Sequence, residues 1–125
     1  MKSTIISLKP KDKGLELRFI LIEKMNSWHQ KNKMKVTRFK AADETASIFV
    51  YIYGDAGDFF QEGDIIYMKN AYTSLFKNEM ILYQGKYGQL YKIGEYFLLY
   101  KDDVNVSKKN WTDMMRLELN RKWVD

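Results

Sequence analysis

The sequence predicts an all-β protein, in which five short strands form a small barrel and one α-helix follows at the C-terminal end. The first observation is the aromatic stretch at residues 72–86, where two apolar runs flank a short polar link, as in a β-hairpin. The second is the strict alternation of aliphatic and aromatic residues at positions 46–53. The third is a four-residue spacing of large apolar side chains after residue 101, which indicates an amphipathic helix.

Composition limits the classes of function. The chain has 125 residues, enough for one compact domain, and carries nine Tyr, seven Phe and three Trp. Its 21 Lys and Arg residues exceed its 16 Asp and Glu residues, a balance that favours polyanionic partners. Cys is absent and His29 is the single histidine, which excludes thiolate zinc sites, histidine metal clusters and the usual Cys or Ser-His-Asp nucleophiles. We expect no cofactor and no enzymatic activity.

The first residues lack the long apolar core of a signal peptide. The longest apolar run, at residues 19–22, is far too short to span a membrane. We therefore expect a soluble, intracellular protein with no membrane partner.

The first strand candidate is residues 14–25, where apolar side chains occupy every second position from Leu15 to Leu21. Residues 26–33 are polar and are predicted to form a loop. Trp28 lies near the centre of this loop, where its ring either folds back onto the domain or reaches toward a ligand.

The second and third strand candidates are residues 34–43 and 46–53. In the third strand the aliphatic face belongs in a core, which leaves three aromatic rings on the outward face. Either another layer covers these rings, or they form a surface for a flat ligand. The inward residues are Ile48, Val50 and Ile52, and the outward residues are Phe49, Tyr51 and Tyr53.

Residues 54–58 break the pattern, and Phe59 and Phe60 are predicted to lie in a short helical turn that plugs the bottom of the fold. The fourth strand starts at residues 65–68 and runs toward the hairpin, which supplies the fifth strand. Aromatic residues continue through residues 87–101 without adding a strand to this count. Five closely spaced strands with a break after the third match an OB-type Greek-key barrel.

Residues 1–101 are thus predicted to form the barrel, and residues 102–125 a linker and a helix. The helix begins at Ser107 or Asn110, both of which can cap it. Its apolar stripe either folds back over the barrel or docks elsewhere, and we expect it to mediate self-association or docking to a protein scaffold. The residues of the stripe are Trp111, Met115, Leu119 and Trp123.

The hairpin places rings beside cations. Tyr72 and Phe76 precede its turn and Tyr83 follows it, with Lys77 and Lys86 close by. Such rings are also common packing residues of strands. A second aromatic strand favours a surface that binds single-stranded nucleic acid, which offers π-faces and negative charge together. The further cations that we expect near the bound strand are Lys35, Arg38, Lys40 and Lys69.

Several short motifs resemble those of the small eukaryotic single-stranded-DNA-binding proteins that form the B subunit of the SOSS complex, and of simple archaeal relatives. The motifs follow the family in order and cover roughly the first 100 residues. They are Leu8-Lys9-Pro10, Lys40-Ala41-Ala42-Asp43-Glu44-Thr45-Ala46-Ser47-Ile48, Gln61-Glu62-Gly63-Asp64-Ile65-Ile66, Tyr72-Thr73-Ser74-Leu75-Phe76-Lys77, Leu82-Tyr83-Gln84-Gly85 and Lys92-Ile93-Gly94-Glu95.

The resemblance implies that bases stack on four rings at Tyr53, Tyr72, Phe76 and Tyr83, with basic positions at Lys77 and Lys86. Tyr53 replaces the family's tryptophan, and Gly54 stands where an acidic residue is usual. Phe49 and Tyr51 replace small or polar family residues, and either extend the stacking surface or are covered by a partner. The predicted helix replaces a long disordered tail.

The function predicted from the sequence is therefore single-stranded DNA binding with little sequence specificity, in the nucleus and in DNA repair or replication. Two alternatives remain open. An OB module could use the aromatic face to bind protein, or the ligand could be single-stranded RNA, since stacking and backbone cations accept both nucleic acids.

Overall fold

Six β-strands make up almost all of the regular structure in the described part of the chain. The computed structural model describes residues 2–85, 88–96 and 98–112. The strands are β1 (Leu15–His29), β2 (Lys35–Ala42), β3 (Ser47–Tyr53), β4 (Asp64–Phe76), β5 (Glu79–Tyr83) and β6 (Gln89–Glu95). A four-residue helix, α1 (Ala56–Phe59), separates β3 from β4, and single 3-10 turns lie at Ile5–Ser7 and Val106–Lys108.

Five of the strands close into a barrel in the order β1-β2-β3-β5-β4, and β4 pairs with β1 to complete the ring. The β3–β5 pair is parallel and the other pairs are antiparallel. This confirms the predicted all-β barrel of the OB type. The alternation in β3 is also confirmed, because Ile48, Val50 and Ile52 lie in the main core.

A sixth strand was missed by the sequence analysis. β6 pairs with the first half of β4, on the same edge that β5 occupies along the second half. Its residues Leu90, Tyr91 and Ile93 favour strands, but glycines at 85, 88 and 94 interrupt the pattern from which a strand is predicted.

The predicted loop at residues 26–33 is wrong in its first half. β1 continues to His29, because Ser27, Trp28 and His29 pair with β2 residues Thr37, Val36 and Lys35. A two-stranded arm is held by backbone hydrogen bonds, so polar side chains do not prevent it. The arm carries the β1–β2 turn beyond the barrel wall.

The hairpin between β4 and β5 follows the prediction. Lys77 and Asn78 both have positive φ, at 50° and 66°. Two consecutive left-handed residues make the type I′ turn that suits the twist of a two-residue hairpin. The turn fixes the register in which Phe76 faces Glu79 and Tyr72 faces Tyr83.

β4 contains one extra residue near its middle. Four residues of β4, from Met68 to Ala71, lie opposite three residues of β1, from Leu15 to Leu17, and Asn70 has a φ of 55°. This is a β-bulge with a left-handed residue. Met68 and Ala71 are therefore both buried, although they are three positions apart.

The segment after residue 101 is not a separate linker in the part that the structure describes. Val106 and Trp111 belong to the barrel core, and the Ser107 hydroxyl accepts a hydrogen bond from the Phe49 backbone N–H at 2.8 Å. The Trp111 ring N–H donates to the Val106 carbonyl at 2.6 Å. Trp111 is only 6% exposed, so its predicted contact with a partner protein is wrong: its ring packs into the barrel.

The remaining residues predicted to contact a partner, Met115, Leu119 and Trp123, lie outside the described residues. Within the described part, the predicted helix corresponds to the 3-10 turn Val106–Lys108 and a helical start at Trp111 and Thr112. A docking role for the rest of this segment stays a prediction.

Burial of Trp111 gives a first test. Trp111→Ala should lower the free energy of unfolding by about 3–5 kcal/mol, because it removes a large core side chain and leaves a cavity. Urea unfolding measures this loss. Thr112→Ala, at the exposed next position, is the matched control and should change stability little. Equal stability of the Trp111→Ala variant and the parent would show that this segment lies outside the cooperative core.

Candidate nucleic-acid interface

The outward faces of four neighbouring strands bring one cation and three rings into a single row. Arg38 on β2 pairs with Tyr51 on β3, Tyr51 pairs with Tyr83 on β5, and Tyr83 pairs with Tyr72 on β4. Residues directly opposite each other in a sheet present their side chains on the same face. The two stretches singled out from the sequence therefore meet on one surface, which we call the aromatic face.

The rings of the aromatic face contact one another. Tyr72 and Tyr83 are stacked, with ring centroids 5.1 Å apart and an interplanar angle of 12°. Tyr51 meets Tyr83 edge-on at 5.3 Å, and Trp28 meets Tyr51 edge-on at 5.0 Å. These contacts hold the tyrosines in fixed orientations, so little freedom is lost when a flat ligand stacks on them.

Phe49 and Tyr51 lie on the aromatic face but are buried, at 3% and 6% exposure. The Arg38 guanidinium lies 4.0 Å from the Phe49 ring centroid, and the Lys108 ammonium lies 5.6 Å from it. The sequence left two interpretations open for Phe49, a stacking surface or a covered ring, and in the structure its ring is covered. Its ring supports the cations above it and offers no free surface for stacking.

The exposed end of the aromatic face is Phe76, with 49% of its surface accessible. Its neighbour Lys77 places an ammonium 5.3 Å from the ring centroid. Phe76 is the last residue of β4, so the hairpin turn carries an aromatic surface and a positive charge together. Tyr53, Tyr72 and Tyr83 are half-buried.

Two adjoining hollows of about 480 and 450 Å³ form a groove along the aromatic face. Gln30 lines both, because the arm formed by β1 and β2 overhangs the face as one wall. The first hollow is lined by Gln30, Asn32, Met34, Tyr53, Gly54, Tyr72, Gln84 and Gly85. The second is lined by Asn26, Trp28, Gln30, Arg38, Tyr51, Phe76 and Tyr83.

The arm contributes groove residues that the sequence analysis did not assign. Gln30 and Asn26 carry amide groups that can both donate and accept hydrogen bonds. Trp28 folds back onto Tyr51, the first of the two roles predicted for it, and its ring also lines the groove. A tryptophan inside a polar segment was the signal in the sequence, but its target depends on the strand pairing of the arm.

Three of the six predicted cations have carboxylate partners. Lys35 pairs with Asp58 at 2.5 Å and Lys40 with Asp102 at 2.5 Å. Arg38 lies 3.6 Å from Glu79. These pairs are partly exposed, so each contributes little to stability and a phosphate can compete for the cation.

Among the described residues, no such pair is formed by the other three predicted cations. Lys77 forms no ion pair within the described residues and lies at the open end of the groove, beside Phe76. Lys86 lies outside the described residues. Lys69 lies on β4 beyond the groove, with its ammonium 5.6 Å from the Tyr67 ring centroid.

Family comparison agrees with this geometry. A sequence profile described as single-stranded DNA binding protein Ssb-like, OB fold, matches residues 8–92, more than half of the chain. The chain belongs to this family. The matched residues include all of the aromatic face from Arg38 to Tyr83, whereas the buried turn at Val106–Lys108 lies beyond them.

Solved structures show the same fold. The chain is similar to a hypothetical protein from Arabidopsis thaliana, with a TM-score of 0.73, 21% identity, and coverage of 89% of this chain and 86% of that chain. A replication factor A related protein from Methanobacterium thermoautotrophicum gives a TM-score of 0.60 at 14% identity, covering 74% and 91%. A replication protein A domain from Methanococcus maripaludis gives 0.59 at 16% identity, covering 74% and 97%.

The described residues contain no helix that is long and apolar enough to cross a membrane. In the same part of this Ssb-like chain, no group of three or more His, Cys, Asp or Glu side chains is arranged to hold a metal ion. The groove on the aromatic face is lined by rings, amides, hydroxyls and a cation.

Burial favours the protonated form of the Tyr83 and Tyr53 hydroxyls. The pKa of Tyr83 is raised to about 12, chiefly by burial and then by the nearby Tyr51 and Tyr72. The pKa of Tyr53 is raised more strongly, first by burial and then by the adjacent Tyr72 hydroxyl. Neutral hydroxyls can donate hydrogen bonds to phosphate or base atoms and add no negative charge that would repel a polyanion.

The raised pKa of Tyr83 predicts a pH dependence of stability. Between its ordinary value of 10.0 and about 12, the folded protein keeps a proton that the unfolded chain loses. The free energy of unfolding should therefore fall as pH rises through this window, and the contribution is complete below pH 10. Urea unfolding of the parent and of Tyr83→Phe, which has no ionisable hydroxyl, measures the effect.

The difference between the two unfolding free energies should be constant from about pH 7 to 9 and should shrink above pH 10, as the parent loses its advantage. A difference that stays constant to pH 12 would contradict a hydroxyl held neutral by burial.

Proposed function

We propose that this protein binds single-stranded DNA along the aromatic face, through base stacking and phosphate contacts and with little sequence specificity. The row formed by Arg38, Tyr51, Tyr83 and Tyr72 supports this proposal most directly. A single strand offers flat base faces and negatively charged phosphates, and this row offers rings for the bases and a guanidinium for a phosphate. Duplex DNA keeps its bases stacked inside and offers no such faces.

The residues have separate roles in the proposed complex. Phe76 and the Tyr72–Tyr83 pair stack against bases, and the amides of the arm contact base edges or sugars from the other side of the groove. Lys77 and Arg38 neutralise phosphates. Because stacking accepts every base, sequence preference should be weak.

The wider proposal is a role in genome maintenance, in DNA repair or replication. It rests on the family of single-stranded-DNA-binding proteins and on similar folds in two archaeal proteins named for replication protein A or replication factor A. Proteins of that kind hold exposed single strands for other factors, which requires affinity without sequence preference.

The direct test is fluorescence anisotropy with single-stranded DNA, single-stranded RNA and duplex DNA of equal length. We expect single-stranded DNA to bind much more tightly than duplex. Equal binding of RNA would assign the face to single strands in general, because stacking alone does not sense the 2′-hydroxyl. No binding to any oligonucleotide would instead favour an aromatic face that binds protein.

Ring removal should weaken binding without unfolding the domain. Phe76→Ala and Tyr72→Ala should each cost about 1–3 kcal/mol of binding free energy, because each removes a stacking surface. Phe59→Ala is the matched control, since Phe59 is 69% exposed and does not line the groove. If both groove variants remain folded and bind like the control, the stacking assignment is wrong.

Salt dependence tests the phosphate contacts. The logarithm of the binding constant should fall as salt rises, with a slope of roughly −0.7 per phosphate neutralised on a single strand. Lys77→Ala should make this slope less steep by roughly one such unit and weaken all sequences alike. Lys24→Ala is the control, because its ammonium is held by the carbonyls of Asp58 and Phe60, away from the groove. A slope that Lys77→Ala leaves unchanged would exclude Lys77 from the phosphate path.

A further inference from the structure

A second pair of tyrosines lies outside the groove. Tyr67 on β4 is the register partner of Tyr91 on β6, and their ring centroids are 6.3 Å apart with an interplanar angle of 34°. Tyr91 is 48% exposed. Neither ring belongs to the main core of the barrel, so packing of the core does not account for them.

Three cations surround this pair. The ammonium groups of Lys2 and Lys69 lie 5.2 and 5.6 Å from the Tyr67 ring centroid. Arg18 on β1 is the register partner of Tyr67, so Arg18, Tyr67 and Tyr91 form one row across three strands. Within the described residues, none of these three cations forms an ion pair with a carboxylate.

The composition of this row repeats that of the aromatic face, where Arg38 also begins a row of tyrosines. The cations differ in one respect: Arg38 lies near Glu79, whereas the cations of the second row have no such partner among the described residues. The N-terminal segment is held in place by its backbone, because the Ser3 N–H donates a hydrogen bond to the Glu16 carbonyl at 2.8 Å. This bond holds the N-terminal segment along β1 and brings Lys2 over Tyr67.

The bulge at Asn70 connects the two rows. In a regular strand without a bulge, Tyr67 and Tyr72 would point to opposite faces of β4, because their positions differ by an odd number. With it, both rings face outward, about 16 Å apart along the strand at 3.3 Å per residue. Gly85, which lines the groove, packs against the Asn70 carbonyl, so the groove ends next to the bulge.

We propose that Tyr67 and Tyr91, with Arg18, Lys2 and Lys69, form a second subsite for the same single strand of nucleic acid. The subsite takes nucleotides that leave the groove past Tyr72, stacking a base on the exposed Tyr91 ring and neutralising phosphates with the three cations. This inference rests on the proposed function and extends the length of its binding site.

The distances set the length of the site. From Phe76 to Tyr67 the strand spans nine residues, about 30 Å. At 3.4 Å per stacked nucleotide this corresponds to about nine nucleotides, within the range of roughly 4–16 for OB folds. A strand of six nucleotides with this stacked spacing is about 20 Å long, so it fills the groove and does not cover both ends.

The test compares oligothymidylates of six and twelve nucleotides by calorimetry. Tyr91→Ala should weaken the binding of the twelve-nucleotide strand by about fivefold or more and change that of the six-nucleotide strand little. Lys69→Ala should lower the salt slope by roughly 0.7 for the longer strand only. Tyr72→Ala should weaken both strands, because it removes a ring of the groove.

Two control variants separate stacking from loss of structure. Tyr91→Phe keeps the ring and should bind the longer strand like the parent. Ile93→Ala, on the same strand and 45% exposed, should also bind like the parent. If Ile93→Ala weakens binding as much as Tyr91→Ala, the effect comes from β6 and not from a stacked ring, and the inference is wrong.

The outcomes distinguish this inference from the proposed function. If Tyr72→Ala weakens the binding of the longer strand while Tyr91→Ala does not, the groove binds nucleic acid and the second subsite does not exist. If the parent binds neither strand, the proposed function fails and the second subsite fails with it. The second subsite is supported if Tyr91→Ala weakens the binding of the longer strand only, while Tyr91→Phe and Ile93→Ala bind like the parent.

Discussion

The pairing of β4 with three other strands is the constraint on which this structure depends. Its first half lies between β1 and β6, and its second half pairs with β5. The β1 pairing closes the barrel, and the β5 pairing stacks Tyr72 on Tyr83. A single strand therefore joins core closure to the orientation of the rings, and damage to its hydrogen bonds would affect stability and binding together.

Local patterns in the sequence correctly predicted the structural features that depend only on residues close together in the chain. Alternation in β3 and the turn at Lys77 and Asn78 gave the correct faces, because side-chain period and turn geometry are local properties. The long arm of β1, the cover of Arg38 over Phe49 and the burial of Trp111 were not predictable in this way. Each depends on contacts between residues distant in sequence, where tertiary packing outweighs local propensity.

Several cations on and near the aromatic face have carboxylate neighbours. Lys35, Arg38 and Lys40 each lie near a carboxylate, which limits repulsion among them when no ligand is bound. The Lys35 ammonium lowers the pKa of Asp58 through their hydrogen bond, so this carboxylate stays charged. A polyanion that binds these cations has to displace the carboxylates, which weakens its binding.

The bulge at Asn70 gives β4 a position where its length can change without reversing its two faces. Substitutions at outward positions such as Tyr67 change the surface and leave the core intact. Deletion of one residue between Met68 and Ala71 would remove the bulge and leave a regular strand in which both residues still face the core. Deletion of one residue elsewhere in the strand would instead reverse the two faces of the part beyond it. Relatives with the same barrel should therefore vary in residue type at the outward positions of this strand and in length at the bulge, whereas insertions and deletions in the rest of the strand should be rare.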